Sequence, residues 1–435
     1  PLRLVGSEMC IRDSDKGVNM DIEHNSRKKF YRFPFGAVTC GGEVRLRLAV
    51  SGAGIPSAVR LVYMEDGKGE VRKDMPYIFD VGDHCIYSVN VKMPEKAGLV
   101  WYYFELETER GMVYYGNNSK QLGGIGEMCF NSPSNSYQIT VYNEDYKTPD
   151  WFKTGIAYQI FVDRFCNGNE NGEFLGNRTD IIKRNWGEQP FYKAEQFGGE
   201  YKANDFFGGN LKGVIKKLPY LKDLGISVIY LNPIFKAYSN HKYDTGDYET
   251  IDPMFGDEET FKELCSKAKE MGIRIILDGV FNHTGSNSRY FNKYGEYDSV
   301  GAYQSKESPY YTWFRFMDWP DVYESWWGMT TLPQIEEHSE ECRKYLLSDK
   351  DAIVKRWIKN GASGWRLDVV DELPGFFVKE LRENVKKADK DAVIIGEVWE
   401  DASNKSAYGE RREYFLGKEL DSVMNYPMRL SLIHI

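Results

Sequence analysis

Cysteine is sparse in this chain. Seven occur among 435 residues, an odd number at irregular spacing with no CxxC pair. That argues against a disulfide framework and points to a reducing, cytoplasmic setting. Long apolar runs are missing too. No stretch reaches the roughly 18 apolar residues that a membrane-crossing helix needs. Residues 1–16 scatter charges where a signal peptide would carry its apolar segment. There is no surplus of positive charge: Lys and Arg total 56 against 65 Asp and Glu, a net charge of −9. Nucleic acid and anionic membrane both select basic faces, so neither is expected as a partner.

The length suggests about two to four domains at roughly 100–200 residues each. Aromatic residues are plentiful, at 15%. Two readings fit that figure, a well-packed core and a platform for flat, hydroxylated ligands such as sugar rings, and composition does not choose between them. The two ends lack pattern. Patterned sequence begins near Lys28, with Met9 and Met20 as candidate starts, and residues 430–435 stop without a turn or polar tail. Residues 1–27 and 430–435 are expected to be a non-native or disordered leader and tail on an incomplete reading frame.

Between residues 28 and 145 the apolar period is two. Val44, Leu46, Leu48 and Val50 alternate with Arg45, Arg47 and Ala49, and further strand-like runs fall at 58–64, 86–93, 99–106, 112–115 and 137–142. Turn clusters such as Asp66-Gly67 and Gly116-Asn117-Asn118 separate them. This predicts an all-β, immunoglobulin-like sandwich domain. A polar linker, 143–150, follows.

From Trp151 to Arg429 strands alternate with helices. Apolar strands are expected at 155–162, 226–231, 273–280, 364–369, 392–398 and 420–426. Helical stripes lie between them, such as Leu211, Val214, Leu218 and Leu221, and Phe261, Leu264 and Ala268. Glycines at 225, 272 and 361 close three of the helices. Repeated helix, glycine stop and buried β-branched strand is the mark of parallel βα units. One long insertion, about 284–342, is rich in Tyr, Trp and Gly, as functional loops and small subdomains are. Six strands fall short of a closed (β/α)₈ barrel, which predicts an incomplete TIM barrel, with an open doubly wound sheet as the competing fold.

The polar residues favour the barrel, because successive strands end in chemistry. Strand two leads to Asn232 and on to His241, Tyr243 and Asp244. Strand three carries Asp278 and ends in Asn282-His283. Strand four carries Arg366 and Asp368, and strand five ends in Glu397-Val398-Trp399. Arg366 and Asp368, two apart on one strand, share a face. Arg366 is therefore expected to keep Asp368 ionised, as a nucleophile needs. Glu397 sits in apolar sequence, where desolvation would keep it protonated as a general acid. One ionised and one protonated carboxyl group are the minimum for retaining glycoside hydrolysis. Taken singly, each is more often an ion pair, a solvated side chain or a core histidine. Their placement on consecutive strand ends argues for function.

These residues carry a family resemblance. Asp278-Gly279-Val280-Phe281-Asn282-His283, Gly364-Trp365-Arg366-Leu367-Asp368 and Gly396-Glu397-Val398-Trp399 resemble three of the four signature regions of the α-amylase family, glycoside hydrolase family 13. Residues 225–235, with Leu231-Asn232-Pro233-Ile234-Phe235, resemble its strand-two motif. Ser239-Asn240-His241-Lys242-Tyr243-Asp244-Thr245 and the N-terminal sandwich are similar to the neopullulanase and cyclomaltodextrinase branch. The resemblance covers about residues 30–429. It implies that Asp368 is the nucleophile, Glu397 the acid/base and Arg366 the group that orients Asp368. It implies that His241, Tyr243 and His283 hold the sugar on the non-reducing side of the scissile bond, with Tyr243 stacked under the ring. Asp278 and Trp399 complete the expected substrate-binding set. The sandwich resembles that branch's starch-binding-type domain, which implies a homodimer formed through it.

Three departures stand out. The fourth signature region, which carries a further Asp on strand seven, is absent, and no Asp follows Asp421. Thr331-Leu332-Pro333-Gln334-Ile335-Glu336 stands where the branch usually has Lys and Asn after the Pro. The calcium-type loop has Asn167, Asn169 and Glu173, with Gly208 and Asn210 beyond, where relatives place Asp at some points. Calcium prefers anionic oxygens, so a weak calcium site and a turn built by Asn and Gly both remain open, and no cofactor is required. Four tryptophans of the insertion, Trp313, Trp319, Trp326 and Trp327, either line the substrate groove or anchor the insertion. The expected activity is retaining hydrolysis of α-1,4 bonds, with α-1,6 bonds as a further target, in maltodextrins, cyclodextrins or pullulan. A transglycosylase on the same scaffold and a non-catalytic glucan-binding protein are the alternatives.

Overall fold

The computed structural model describes residues 20–429 except 53, 132–134 and 200. Contacts divide the chain into two compact units. The first runs to Tyr146 and takes in Phe415–Gly417; the second holds Lys147–Tyr414 and continues from Lys418.

The first unit is built on the alternation read from the sequence. Val44, Leu46 and Leu48 are buried while Arg45 and Arg47 alternate with them on the other face. The strand Glu43–Gly52 pairs with Met20–Glu23, Arg32–Phe33 and His84–Lys92, and Tyr77–Val81 forms the edge beyond. In the second sheet Gly98–Thr108 is central, flanked by Ala58–Glu65, Gly111–Gly116 and Tyr137–Tyr142. Val44, Leu46 and Val89 from one sheet share an apolar core with Leu61, Phe104 and Ile139 from the other. Burying each such side chain contributes about 1.5–3 kcal/mol.

The expected leader is too long. Met20–Glu23 is a sheet strand, and His24 is fully buried. The His24 Nδ1–H donates to the Arg47 carbonyl at 2.8 Å, and its Nε2 lies 3.0 Å from the Tyr102 hydroxyl. Burial pushes the imidazole down to about 3. A short strand followed by a histidine gives too few alternations to be read as pattern. The remainder of the expected leader, and the tail 430–435, lie outside the described residues.

The second unit holds a six-stranded parallel sheet: β1 (Ala157–Ile160), β2 (Val228–Leu231), β3 (Arg274–Gly279), β4 (Gly364–Leu367), β5 (Val393–Gly396) and β6 (Ser422–Val423). Every strand pairs with the next one in the chain. A doubly wound sheet reverses its strand order partway. This one never does, so the open-sheet alternative is excluded and the sheet is an incomplete TIM barrel.

Among the described residues four of the five crossovers carry a helix, and the first two of these helices open on a side-chain cap. In α1 (Leu211–Asp223) the Asn210 side chain caps the Gly213 N–H at 2.9 Å, and in α2 (Glu258–Glu270) Asp257 caps the Thr260 N–H at 2.8 Å. Such caps contribute about 1 kcal/mol each. Gly225 and Gly272 follow the two helices at φ 85° and 74°, the left-handed stop that glycine takes without strain. Helices α3 (Ile353–Lys359) and α4 (Gly375–Ala388) precede β4 and β5, with Pro374 at the start of α4. The insertion after β3 is mostly irregular and held by aromatic packing. Trp313 is buried and stacks on Tyr290 at 5.0 Å. The hairpin Phe316–Asp318 with Val322–Tyr323 closes over Phe291.

Candidate active site

Parallel pairing decides which side chains meet. Asp278 on β3 stands in register with Arg366 on β4, and Leu367 with Gly396 on β5, so Asp368 and Glu397 leave adjacent strands at the same level. Arg366 sits at the centre of the group. Its Nη1 lies 3.0 Å from Asp278 Oδ1 and 2.7 Å from Asp368 Oδ1, and its Nη2 lies 2.9 Å from Glu397 Oε2. One guanidinium therefore joins three carboxylates. Asp368 and Glu397 are held side by side on adjacent nitrogens of the same group.

Burial works against the charge of Arg366, but Asp278 and Asp368 outweigh it and keep the guanidinium charged. The two catalytic candidates behave contrary to expectation. Burial and the neighbouring Asp278 push Asp368 well above the usual carboxylate range, despite Arg366. Burial also acts on Glu397, but Arg366 and hydrogen bonds from the Val369 N–H, Trp399 Nε1–H and Tyr426 hydroxyl overcome it and lower its pKa. The two directions run opposite to those expected, up for Asp368 and down for Glu397, because Arg366 serves both carboxylates and Glu397 has three further donors.

Asp278 is also corrected. It was expected to touch substrate, but its side chain is fully buried. Its Oδ2 accepts the hydroxyls of Tyr243, at 3.0 Å, and Tyr230. It anchors Arg366 from beneath. Sequence reasoning missed Tyr230, which reads as a core aromatic in an apolar strand.

Above this cluster lies a cavity of about 950 Å³, lined by His241, Tyr243, His283 and Trp326 as well as Asp368 and Glu397. The Tyr243 backbone N–H donates to His241 Nδ1 at 3.1 Å, which leaves Nε2 to carry that ring's proton. Burial lowers the pKa of His241, and burial takes His283 down to about 4, so both are neutral at pH 7. Neutral imidazoles suit uncharged hydroxyls. Lys242 fixes the segment that carries His241 and Tyr243. It is fully buried at φ 64°, with Nζ 2.8 Å from Asp252 Oδ2 and 2.9 Å from the Ser239 carbonyl.

The tryptophans of the insertion divide between their two readings. Trp313 anchors the segment, and Trp319 donates to the Ala302 carbonyl. Trp326 lines the cavity and stacks on His283 at 5.3 Å. Trp327 is exposed, with its Nε1–H donated to Glu372. Trp399 is half-exposed at the cavity and reaches back to Glu397 Oε1 at 3.1 Å.

The loop considered for calcium bonds to itself. Asn167 Oδ1 accepts the Asn169 N–H and the Asn210 amide, while the Asn167 and Asn169 amides donate to the Glu173 carbonyl. Asn210 Oδ1 accepts the N–H groups of Gly168 and Gly213, and Gly208 donates its own N–H to Asp163. The Asn167 and Asn210 side-chain oxygens already face N–H donors, and Glu173 is exposed. Among the described residues no group of three or more His, Cys, Asp or Glu could hold a metal. These hydrogen bonds fit an Asn/Gly turn. Adding a chelator is expected to leave the thermal midpoint unchanged; a drop of several degrees, reversed by calcium, would contradict this.

The family description "Alpha amylase, catalytic domain" matches residues 159–434. An amylopullulanase of Thermoanaerobacterium saccharolyticum is 39% identical over 443 residues, covering 95% of this chain and 34% of that protein. A cyclomaltodextrinase of Thermoanaerobacter pseudethanolicus is 40% identical over 296 residues, covering 66% of this chain and 45% of that protein. Among solved structures, a cyclomaltodextrinase aligns with TM-score 0.58 at 27% identity, over 96% of this chain and 65% of that one. The type III pullulan hydrolase from Thermococcus kodakarensis aligns with TM-score 0.56 at 29% identity, over 93% and 65%. The chain belongs to the α-amylase family, glycoside hydrolase family 13. It spans about a third of the length of the amylopullulanase it matches.

Proposed function

We propose that this chain carries the catalytic centre of a retaining α-glucan hydrolase that cleaves α-1,4 bonds, and α-1,6 bonds in pullulan-like substrates. The observation that carries this reading is the bridging of Asp368 and Glu397 by Arg366 at the floor of an aromatic cavity. Two carboxylates held close, rather than spread apart to admit a water, suit the retaining geometry. Neutral His241 and His283, with the Tyr243 and Trp326 rings, suit a neutral polyhydroxylated ring. The names of the relatives, amylopullulanase and cyclomaltodextrinase among them, support the choice of α-glucan.

In the first step Glu397 gives its proton to the glycosidic oxygen, which leaves with the C1–O electron pair. Asp368 supplies an oxygen lone pair to C1 and forms a covalent glycosyl ester. In the second step Glu397 takes a proton from water, whose oxygen attacks C1 and releases Asp368 as a carboxylate. The reactive form has Asp368 ionised and Glu397 protonated. Arg366 touches both groups.

A cytoplasmic location is part of this reading. It is supported by the six cysteines of the described residues, none of which forms a disulfide, and by a relative named intracellular maltogenic amylase, from Bacillus subtilis, at 37% identity over 67% of this chain. No helix among the described residues is long and apolar enough to cross a membrane. The test is hydrolysis by the complete protein of cyclodextrin, pullulan and starch. New reducing ends from at least one are expected. Binding without turnover would contradict the reading, and products longer than the substrate would replace hydrolysis with transfer.

A further inference from the structure

Glu397 is held on both carboxylate oxygens, and the two sets of partners differ in kind. Oε2 faces Arg366 Nη2 at 2.9 Å and the Val369 backbone N–H at 3.0 Å. Oε1 faces Trp399 Nε1 at 3.1 Å and the Tyr426 hydroxyl at 3.1 Å. A guanidinium, a backbone amide and an indole N–H can donate but cannot accept. A carboxyl O–H pointed at any of them would place hydrogen against hydrogen. A phenol can turn and accept. We infer that Glu397 carries its proton on Oε1, and that Tyr426 is a positioning residue that receives the O–H there until a glycosidic oxygen takes its place. This rests on the reading of Glu397 as the acid/base.

The backbone around Oε2 supports the assignment independently. Val369 sits at φ 39° and ψ 49°, a left-handed conformation that is costly for a β-branched residue, on the order of 1–3 kcal/mol. That turn presents the Val369 N–H to Glu397. The side chains after it pack closely on β5: a Cβ on Gly396 would lie 2.8 Å from Val370 Cγ1 and 2.5 Å from Leu420 Cδ1. The fold thus accepts strain to keep a fixed donor on Oε2, and leaves its one reversible partner on Oε1. The other titratable and charged groups in this cluster are Asp368 on the β4 side, Asp278 on β3, Tyr230 on β2, Tyr243, and Arg429, 5.8 Å from the Tyr426 ring. Of these, none has a hydrogen bond to Glu397.

The test compares the complete protein with Tyr426→Phe on a maltodextrin and on α-maltosyl fluoride, whose fluoride leaves with little protonic help. The variant is expected to lose roughly 10–100-fold in kcat/KM on maltodextrin, part of the contribution of general acid catalysis. Its kcat/KM on the fluoride stays within about twofold of the unaltered protein, and the basic limb of its maltodextrin profile moves to higher pH, because the ionised form has lost a donor. If Tyr426→Phe does not fold, Tyr426→Leu serves for the same comparison. Equal losses on both substrates in a folded variant would reduce Tyr426 to a structural role and overturn the inference. So would unchanged rates on both. Failure of the unaltered protein to act on either substrate would overturn the functional reading itself.

Discussion

Replacing Arg366 with methionine is expected to destabilise the second unit by about 3–5 kcal/mol, the cost of removing one partner from a buried ion pair. It leaves Asp278, Asp368 and Glu397 around an empty cationic position. The carboxyl groups would then hold more protons, and stability should recover as pH falls. The sign follows from linkage. Without the cation the folded-state pKa values rise above the unfolded ones, so the folded chain binds more protons and gains relative stability in acid. Arg366→Lys keeps the charge but not the fork that reaches β3 and β5 together. It is expected to fold while losing on the order of 10³-fold in kcat. Thermal melts from pH 5 to 8 with initial rates check both. A methionine variant melting like the original would show that the cluster does not depend on its cation.

Asp368→Asn and Glu397→Gln should fail differently. Without its nucleophile the protein is expected to lose on the order of 10⁴-fold or more on every substrate. Glu397→Gln is expected to lose about 10²–10⁴-fold on maltodextrin. It should still react with a maltosyl fluoride in the first step and then stall, because no base activates the water. Rates on both substrates for both variants separate the roles. Full turnover by either variant on maltodextrin would refute its assignment.

Much of this was legible in the sequence because barrel chemistry is written at strand ends. The β-branched run before Asp278, the Arg366–Asp368 spacing and the apolar approach to Glu397 each locate a side chain at the C-terminal level of a parallel strand. What stayed hidden depends on partners from other strands. Arg366 beside Asp368 in sequence suggests a private pair, and nothing local reveals that its second nitrogen reaches Glu397. Val369 and Tyr426 reach Glu397 from other segments and Trp399 turns back on it from two residues away, so its lowered pKa was invisible. Tyr230 looked like packing. The loop at Asn167 and Asn169 resembled a cation site because amide side chains serve a turn and a metal equally well. Its hydrogen bonds are those of a turn.

The central claim is most directly tested by mass spectrometry of Glu397→Gln after incubation with α-maltosyl fluoride. Retaining chemistry predicts a maltosyl adduct on the peptide that contains Asp368, absent when Asp368→Asn is added. An adduct on another residue, or turnover of the fluoride with inverted configuration and no adduct, would contradict it.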